Sequence, residues 1–358
     1  RMKMEELESS NNFESSMREV RLASRPSPLK LIKSQAWDLF QELGWPKKTN
    51  DAFKGFPLNK LSLERFPAKK EVFDISSEEL AKKDLFFNES KGQRLVFIDG
   101  EYQENLSETS SLPQEMVVST LNDASLTYGQ ALIGHWKKTL KKEKDSFFLL
   151  NHSLFNEGAF IYLPQNVKVE VPIEVLHLIS PQANKSSIFP KLVFMLGKGS
   201  EARVVAKEHY LSDDINCFCS QSFEFIASEN SKLDLTHLLL NTAKDSWHFS
   251  SFRAFLKRDA RVKAVSLTNG SKSVREDYYV SLDGENANAS LSGGCLLNDT
   301  KQSHTSVYIE HQEPNCQSSQ LFRGTLNDQS RSNFFGKIYV HPKAQQTRAY
   351  QLNNNLVK

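Results

Sequence analysis

Val167-Lys168-Val169-Glu170-Val171-Pro172-Ile173-Glu174-Val175 alternates apolar and polar side chains with a period of two, the pattern of a strand with one buried face. Strand-like segments then continue to the C-terminus, and no helical window is long enough to interrupt them. What separates them is regular. Turn-forming clusters fall at Lys198-Gly199, Ser212-Asp213-Asp214, Glu229-Asn230, Ala243-Lys244-Asp245, Arg258-Asp259 and Asn269-Gly270. The series goes on through Asp283-Gly284, Asn298-Asp299, Glu313-Pro314-Asn315, Asn327-Asp328 and His341-Pro342-Lys343. Successive clusters lie about 15 residues apart, the mark of one strand-turn unit stacked on the next. A sandwich would give turn signals every 8–12 residues or so. Two units, about 30 residues, make one coil of a flattened β-solenoid. The Asn353-Asn354-Asn355 run reads as one further solenoid turn.

Upstream the grammar differs. Residues 1–16 are polar and charged and read as a disordered N-terminus. Residues 17–145 read as a helical and mixed domain, and 146–358 as the solenoid core. From about Phe13 to Leu43 the pattern is helical, broken by Pro26 and Pro28, with Ile32, Ala36, Trp37, Leu39, Phe40 and Leu43 on one face. Gly44 ends that helix and Pro46 keeps it from restarting. Phe86 to Phe97 suits strands, and Asp99-Gly100 closes a hairpin into Tyr102. Asn122 to Lys142 predicts a second helix with Leu126, Ala131, Ile133, Trp136 and Leu140 as its apolar set. Its last turn carries Lys137, Lys138, Lys141 and Lys142; a solvated helix end explains that run more simply than a phosphate-binding patch does.

Lys+Arg total 45 against Asp+Glu 43, so the net charge is +2, which speaks against a dedicated nucleic-acid binder. Mean hydropathy is −0.48, and no apolar run approaches the ~18 residues of a membrane helix. Four cysteines in 358 residues do not make a disulfide framework, and no secretory signal precedes the fold, so a cytoplasmic protein is expected.

Catalytic motifs are missing. No P-loop occurs, since Gly197-Lys198-Gly199-Ser200 and Gly270-Ser271-Lys272-Ser273 lack the upstream glycine, so nucleotide hydrolysis through a P-loop is excluded. G-x-G-x-x-G, G-x-S-x-G and H-E-x-x-H are absent as well. Asp213-Asp214, the one adjacent Asp pair, sits on a turn and reads as turn chemistry. Cys217 and Cys219 share one strand face and read as small buried hydrophobes. Cys295, His304, His311 and Cys316 cluster late in the solenoid. Units of about 15 residues set Cys295 near His311, and His304 more loosely near Cys316, so these four are the candidate iron or zinc ligands beside a plain core reading.

The residues then become recognisable. His304-Thr305, Ile309-Glu310-His311, Pro314-Asn315-Cys316, Ser318-Ser319-Gln320 and Arg323-Gly324 together resemble the shared core of the SufB/SufD family, which builds iron–sulfur clusters. Asn333 to Ile338, Ala344 to Thr347, Gln351 and Asn353 to Leu356 continue that pattern. Asn156 to Pro164, followed by Pro172-Ile173, resembles the entry to the core. Gly44 to Leu58, with Pro46, Asp51, Phe53, Lys54 and Leu58, resembles the SufD branch more than SufB, although Gly55-Phe56 replaces its usual tyrosine-threonine.

The resemblance implies a right-handed parallel β-helix with an N-terminal helical domain. It implies a non-catalytic scaffold that pairs with a SufB-type subunit through the β-helix ends and works with a SufC-type ATPase. A nascent, transient Fe-S cluster would form at the subunit interface, and the chain would have no nucleotide site of its own. Family members continue past the equivalent of Lys358 into a coil with a Lys-Cys-Ser-His-Gly-Ala motif and a C-terminal helical domain that binds SufC. Neither is present in this sequence, so no family cluster ligand is carried over. On that reading ATPase binding needs the missing tail, and in isolation a homodimer is one possible state. Neither nucleic acid nor a membrane is expected as a partner. The competing readings are a solenoid carbohydrate-active enzyme, which would need paired carboxylates, and a homodimeric structural β-helix protein without a metal role.

Overall fold

A computed structural model describes residues 11–357. The expected disordered segment therefore lies largely outside the described residues, but its last part is helical. The Asn11 side chain accepts from the Glu14 N–H and caps a helix over Asn12–Leu22, which buries Phe13 and Met17. Order thus starts ahead of residue 17, because those two side chains anchor an aromatic core. The second helix, Lys30–Leu43, ends where Gly44 turns to φ 73°. Short helices follow at Leu58–Leu63 and at Ser77–Lys82, the latter closed by a Ser76/Glu79 capping box.

The helix Leu121–Thr139 forms as expected, but its buried face is rotated. Leu126 is 77% exposed, while Leu121, Ala124, Leu132 and Trp136 are buried. Trp136 sets the phase, donating its indole N–H to Glu224 at 2.7 Å. The Asp145 carboxylate caps the next helix, Ser146–Leu154, which is buried all round. That helix packs with the N-terminal helices, so residue 146 does not open the β-helix. Nor does the β-helix wait for residue 146: Arg94–Ile98 already pairs in parallel with Ile173–Ile179. The Phe97–Tyr102 hairpin forms through Asp99 and Gly100, both at positive φ. Phe86 and Phe87 lie outside the strand, against Arg94 and Lys207 respectively.

Two stacked sheets make a parallel β-solenoid of about seven turns. One sheet, here the far sheet, gains Ile173–Ile179, Glu201–Tyr210, Lys232–Leu239, Arg261–Thr268, Asn288–Leu297, Gln317–Leu326 and Arg348–Val357 in succession. The covered sheet gains Ala159–Leu163, Lys191–Leu196, Phe218–Ala227, Trp247–Leu256, Ser273–Leu282, Gln302–His311 and Arg331–Val340. Lys232 pairs with Arg261 and Asn288 with Gln317, each 29 residues along, so one coil is two of the units read from the turns. The corners use the turn chemistry expected of them. Asn230, Asp259, Asn286, Asp299, Asn315 and Asp328 all adopt φ near +60°.

Two local expectations fail. Within Val167–Val175 only Ile173 onward is strand; Pro172 cannot donate to a ladder, and the preceding stretch touches it only through Lys168 and Glu201. Asn353, Asn354 and Asn355 lie in the strand Arg348–Val357, paired with Phe322, Arg323 and Gly324, because the ladder holds them extended. Inside the coils Leu, Val, Ala and Phe stack into one continuous core. The helices lay Phe147, Phe148 and Trp136 on the outer side of the covered sheet, against Phe218 and Phe249. Among the described residues, no helix is long and apolar enough to cross a membrane.

Candidate functional site

The four candidate ligands stand on two consecutive strands and the turn that follows. Cys295 is near the end of Asn288–Leu297, His304 and His311 are on Gln302–His311, and Cys316 precedes Gln317–Leu326. The two histidines are seven residues apart along one strand, about 23 Å at the usual rise, so one ion cannot bridge them. The expected register pairs do not form either. Cys295 aligns with Thr268 and Gly324, and His311 with Leu282 and Val340. One turn-to-turn unit is half a coil and carries the chain to the opposite sheet; only a whole coil returns to register.

Each side chain is also already engaged. His304 faces outward against the ring of Phe56 at 5.0 Å, and its two nitrogens meet Gln302 Oε1 at 2.9 Å and Asn333 Nδ2 at 3.0 Å. The tautomer protonated at Nε2 satisfies both contacts, and burial holds the ring neutral, with its pKa lowered to about 3. His311 Nε2 meets Ser318 Oγ at 2.9 Å inside the coil. The Cys316 thiol donates to the Gly284 carbonyl at 3.2 Å, and burial raises its pKa. Cys295 is half-buried and faces the coil interior, 3.8 Å from Ser332 Oγ; burial raises its pKa too. Among the described residues, no group of three or more His, Cys, Asp or Glu is arranged to hold a metal ion. Cys217 and Cys219 pack with Ile179, Ile188, Tyr210 and Ile215 as small hydrophobes, and burial pushes the Cys217 thiol up to about 12.

Sequence reasoning passed over a charged layer inside the coils. His237 Nε2 lies 3.0 Å from both carboxylate oxygens of Glu208, and its Nδ1 is 3.7 Å from Glu276 Oε1. Glu276 also accepts from the hydroxyls of Ser266 and Tyr278. Burial alone would lower the His237 pKa, but the two carboxylates outweigh it and raise it to about 10. Burial would likewise raise Glu208, yet His237 outweighs it and brings Glu208 to about 2. The signal was weak: Glu208 and His237 are 29 residues apart, about one coil, but their own strands pair at an offset of 31, which sets His237 beside Ala206.

A second buried set ties the helices to the covered sheet. Arg253 pairs with Glu143 at 2.8 Å and with Asp277 at 2.7 Å. Arg275 pairs with Asp145 at 2.6 Å and lies 3.4 Å from Asp277. Both guanidinium groups are almost fully buried. Burial would lower the Arg253 pKa, but Glu143 and Asp277 raise it, so its charge is held fast.

The family description "SUF system FeS cluster assembly, SufBD core domain" matches residues 178–358, and "SufBD protein N-terminal region" matches residues 8–175. An iron–sulfur cluster assembly SufBD family protein of Synechocystis is 24% identical over 333 residues, 90% of this chain and 72% of its own length. The iron–sulfur cluster assembly protein SufD of Escherichia coli is 25% identical over 329 residues, 90% of this chain and 73% of its own. SufB of Bacillus subtilis is 22% identical over 221 residues, 60% of this chain and 46% of its own.

Proposed function

Because the chain belongs to the SufB/SufD family of iron–sulfur cluster assembly proteins, we propose that it is a non-catalytic scaffold subunit of a SUF assembly complex in the cytoplasm. Its partners are a SufB-type subunit and, for ATP-driven work, a SufC-type ATPase. The observation that carries this reading is that both family regions occur in order along one chain and fold as a helical layer on a β-solenoid. The nascent cluster is cargo, held between subunits. Of the four candidate ligands we keep only Cys295, because it is the half-exposed thiol, whereas Cys316, His304 and His311 are buried. Iron would have to displace its proton, as a bound cation does for a coordinating thiol.

The test is anaerobic co-purification of the complete gene product from its own cells, with mass spectrometry and iron and sulfide analysis. Recovery of a SufB-like protein and an ABC-type ATPase is the expected result. Recovery of the protein alone and free of iron would overturn the scaffold reading. Within a recovered complex, Cys295→Ala should lower the iron and sulfide content while Cys316→Ala leaves it unchanged. Wild-type iron and sulfide content in Cys295→Ala removes Cys295 as a ligand.

A further inference from the structure

The helical layer does not cover the whole outer face of the covered sheet. Beyond Ser273–Leu282 it overhangs, and between the overhang and the strands Gln302–His311 and Arg331–Val340 lies a cleft of about 880 Å³, the size of a small-molecule site. The lysine-rich helix end that the sequence left as a solvated face forms one lip. Lys138, Lys141, Lys142 and Lys144 line that lip, and Lys337 stands on the strand opposite. None of the five forms an ion pair among the described residues. Most acids of the cleft are engaged elsewhere: Glu143, Asp145 and Asp277 with Arg253 and Arg275, and Glu310 with His341 and the Tyr279 hydroxyl. Asp51, exposed at the rim, is one free carboxylate against the five lysines. Asp283 is hydrogen-bonded to Ser281, and burial raises its pKa toward the neutral form. Negative charge is therefore tied down on the floor, while the rim keeps an excess of free positive charge, five lysines against Asp51.

The floor is aromatic. Tyr279 and Tyr308 project from successive coils and stack with ring centroids 5.7 Å apart and planes 12° from parallel. Lys144 from the lip and Lys337 from the floor both stand over the Tyr308 ring, at 5.7 and 5.9 Å. Phe255 and Phe335 extend the apolar surface to either side.

We propose that this cleft binds an organic phosphate bearing a planar ring, the chemical class of the nucleotides. The ring packs against the tyrosines and phenylalanines of the floor, and the phosphate oxygens take Lys141 and Lys142 at the lip together with Lys144 and Lys337, which already stand over Tyr308. The missing P-loop excludes hydrolysis by that motif; it does not exclude binding by lysines and aromatic rings. This inference goes beyond the scaffold reading and does not depend on it.

The experiment is calorimetric titration of the purified full chain, free of any ATPase partner, with ADP, and separately with inorganic pyrophosphate. Saturable ADP binding that weakens with added salt is expected, with pyrophosphate weaker. The triple variant Lys141→Gln/Lys142→Gln/Lys337→Gln should weaken ADP by about tenfold or more, since each lysine removes a charge-assisted contact. Those side chains are exposed, so its thermal midpoint should stay at the wild-type value. Tyr308→Leu should weaken ADP and leave pyrophosphate unchanged. The absence of ADP binding, an unaltered affinity in the triple variant, or pyrophosphate binding as tightly as ADP would each overturn the proposal.

Discussion

His237 keeps a proton inside a β-solenoid, and that fixes the sign of a pH effect. Its pKa of about 10 in the fold stands above the ordinary 6.5, so the native state holds a proton that the unfolded chain releases between those values. The stabilisation is full below about 6.5 and fades as the pH rises toward 10. Glu208, brought from 4.5 to about 2, acts in the opposite sense: its contribution is present above 4.5 and is lost as the pH falls toward 2. The pair is thus at full strength between about 4.5 and 6.5. Urea midpoints of wild type and His237→Gln should differ most near about pH 6 and converge toward about pH 10. A gap of constant size across that range would mean that His237 acts through packing alone.

At the scale of the element, a coil works because its corners nest. A methyl group added at Gly284 would fall 1.9 Å from the Arg258 backbone nitrogen and 2.3 Å from the Lys257 carbonyl carbon. Those atoms belong to the corner one coil earlier and cannot rotate away. Gly284→Ala should therefore destabilise by at least about 1–3 kcal/mol, the range for overpacking. Gly134→Ala, on the helix Leu121–Thr139 with nothing within 4 Å, is the control and should be neutral or stabilising. Equal unfolding midpoints for the two variants would show that the corners do not bear on one another. The same nesting explains what the sequence disclosed. Corners where φ turns positive are mostly Asn, Asp or Gly, with Lys185 and Gln346 as exceptions, so the coil count was open to reading. Strand ends were less so, because pairing with a neighbouring coil is invisible in a single chain and drew Asn353 to Asn355 into a ladder. The ligand set failed for a related reason. A half-coil spacing looks like proximity along the sequence, yet it places Cys295 and His311 on different sheets. Leu126 and Trp136 fit one helical stripe on paper; only the sheet beneath selects the phase, through Trp136 and Glu224.

Across the whole molecule, the question is whether helices and solenoid unfold as one. They share an aromatic core in which Phe13, Phe147, Phe218 and Phe249 meet mostly edge to face, the Phe147–Phe218 pair being tilted at 50°, with centroids 4.6 to 6.3 Å apart. Arg253 crosses that boundary, with Glu143 on the helical side and Asp277 on the sheet. Burying such ions is costly in itself, so the network need not raise stability above a well-packed apolar alternative. Removing one partner is another matter, because it leaves carboxylates buried without a counter-charge. Arg253→Ala should cost about 3–5 kcal/mol on that account. The shared core remains intact in the variant, so both layers should lose structure together at lower urea. With Trp247, which sits on the strand Trp247–Leu256, replaced by Phe in both proteins, fluorescence from Trp37, Trp45 and Trp136 reports the helical layer. That fluorescence and circular dichroism from the strands should trace one coincident transition with and without Arg253→Ala. Loss of the tryptophan signal ahead of the strand signal in the variant alone would assign the coupling to the arginine. Early loss in both proteins would mean that the helical layer is a separate unit resting on a stable solenoid, and that a partner could displace it without unfolding the coils.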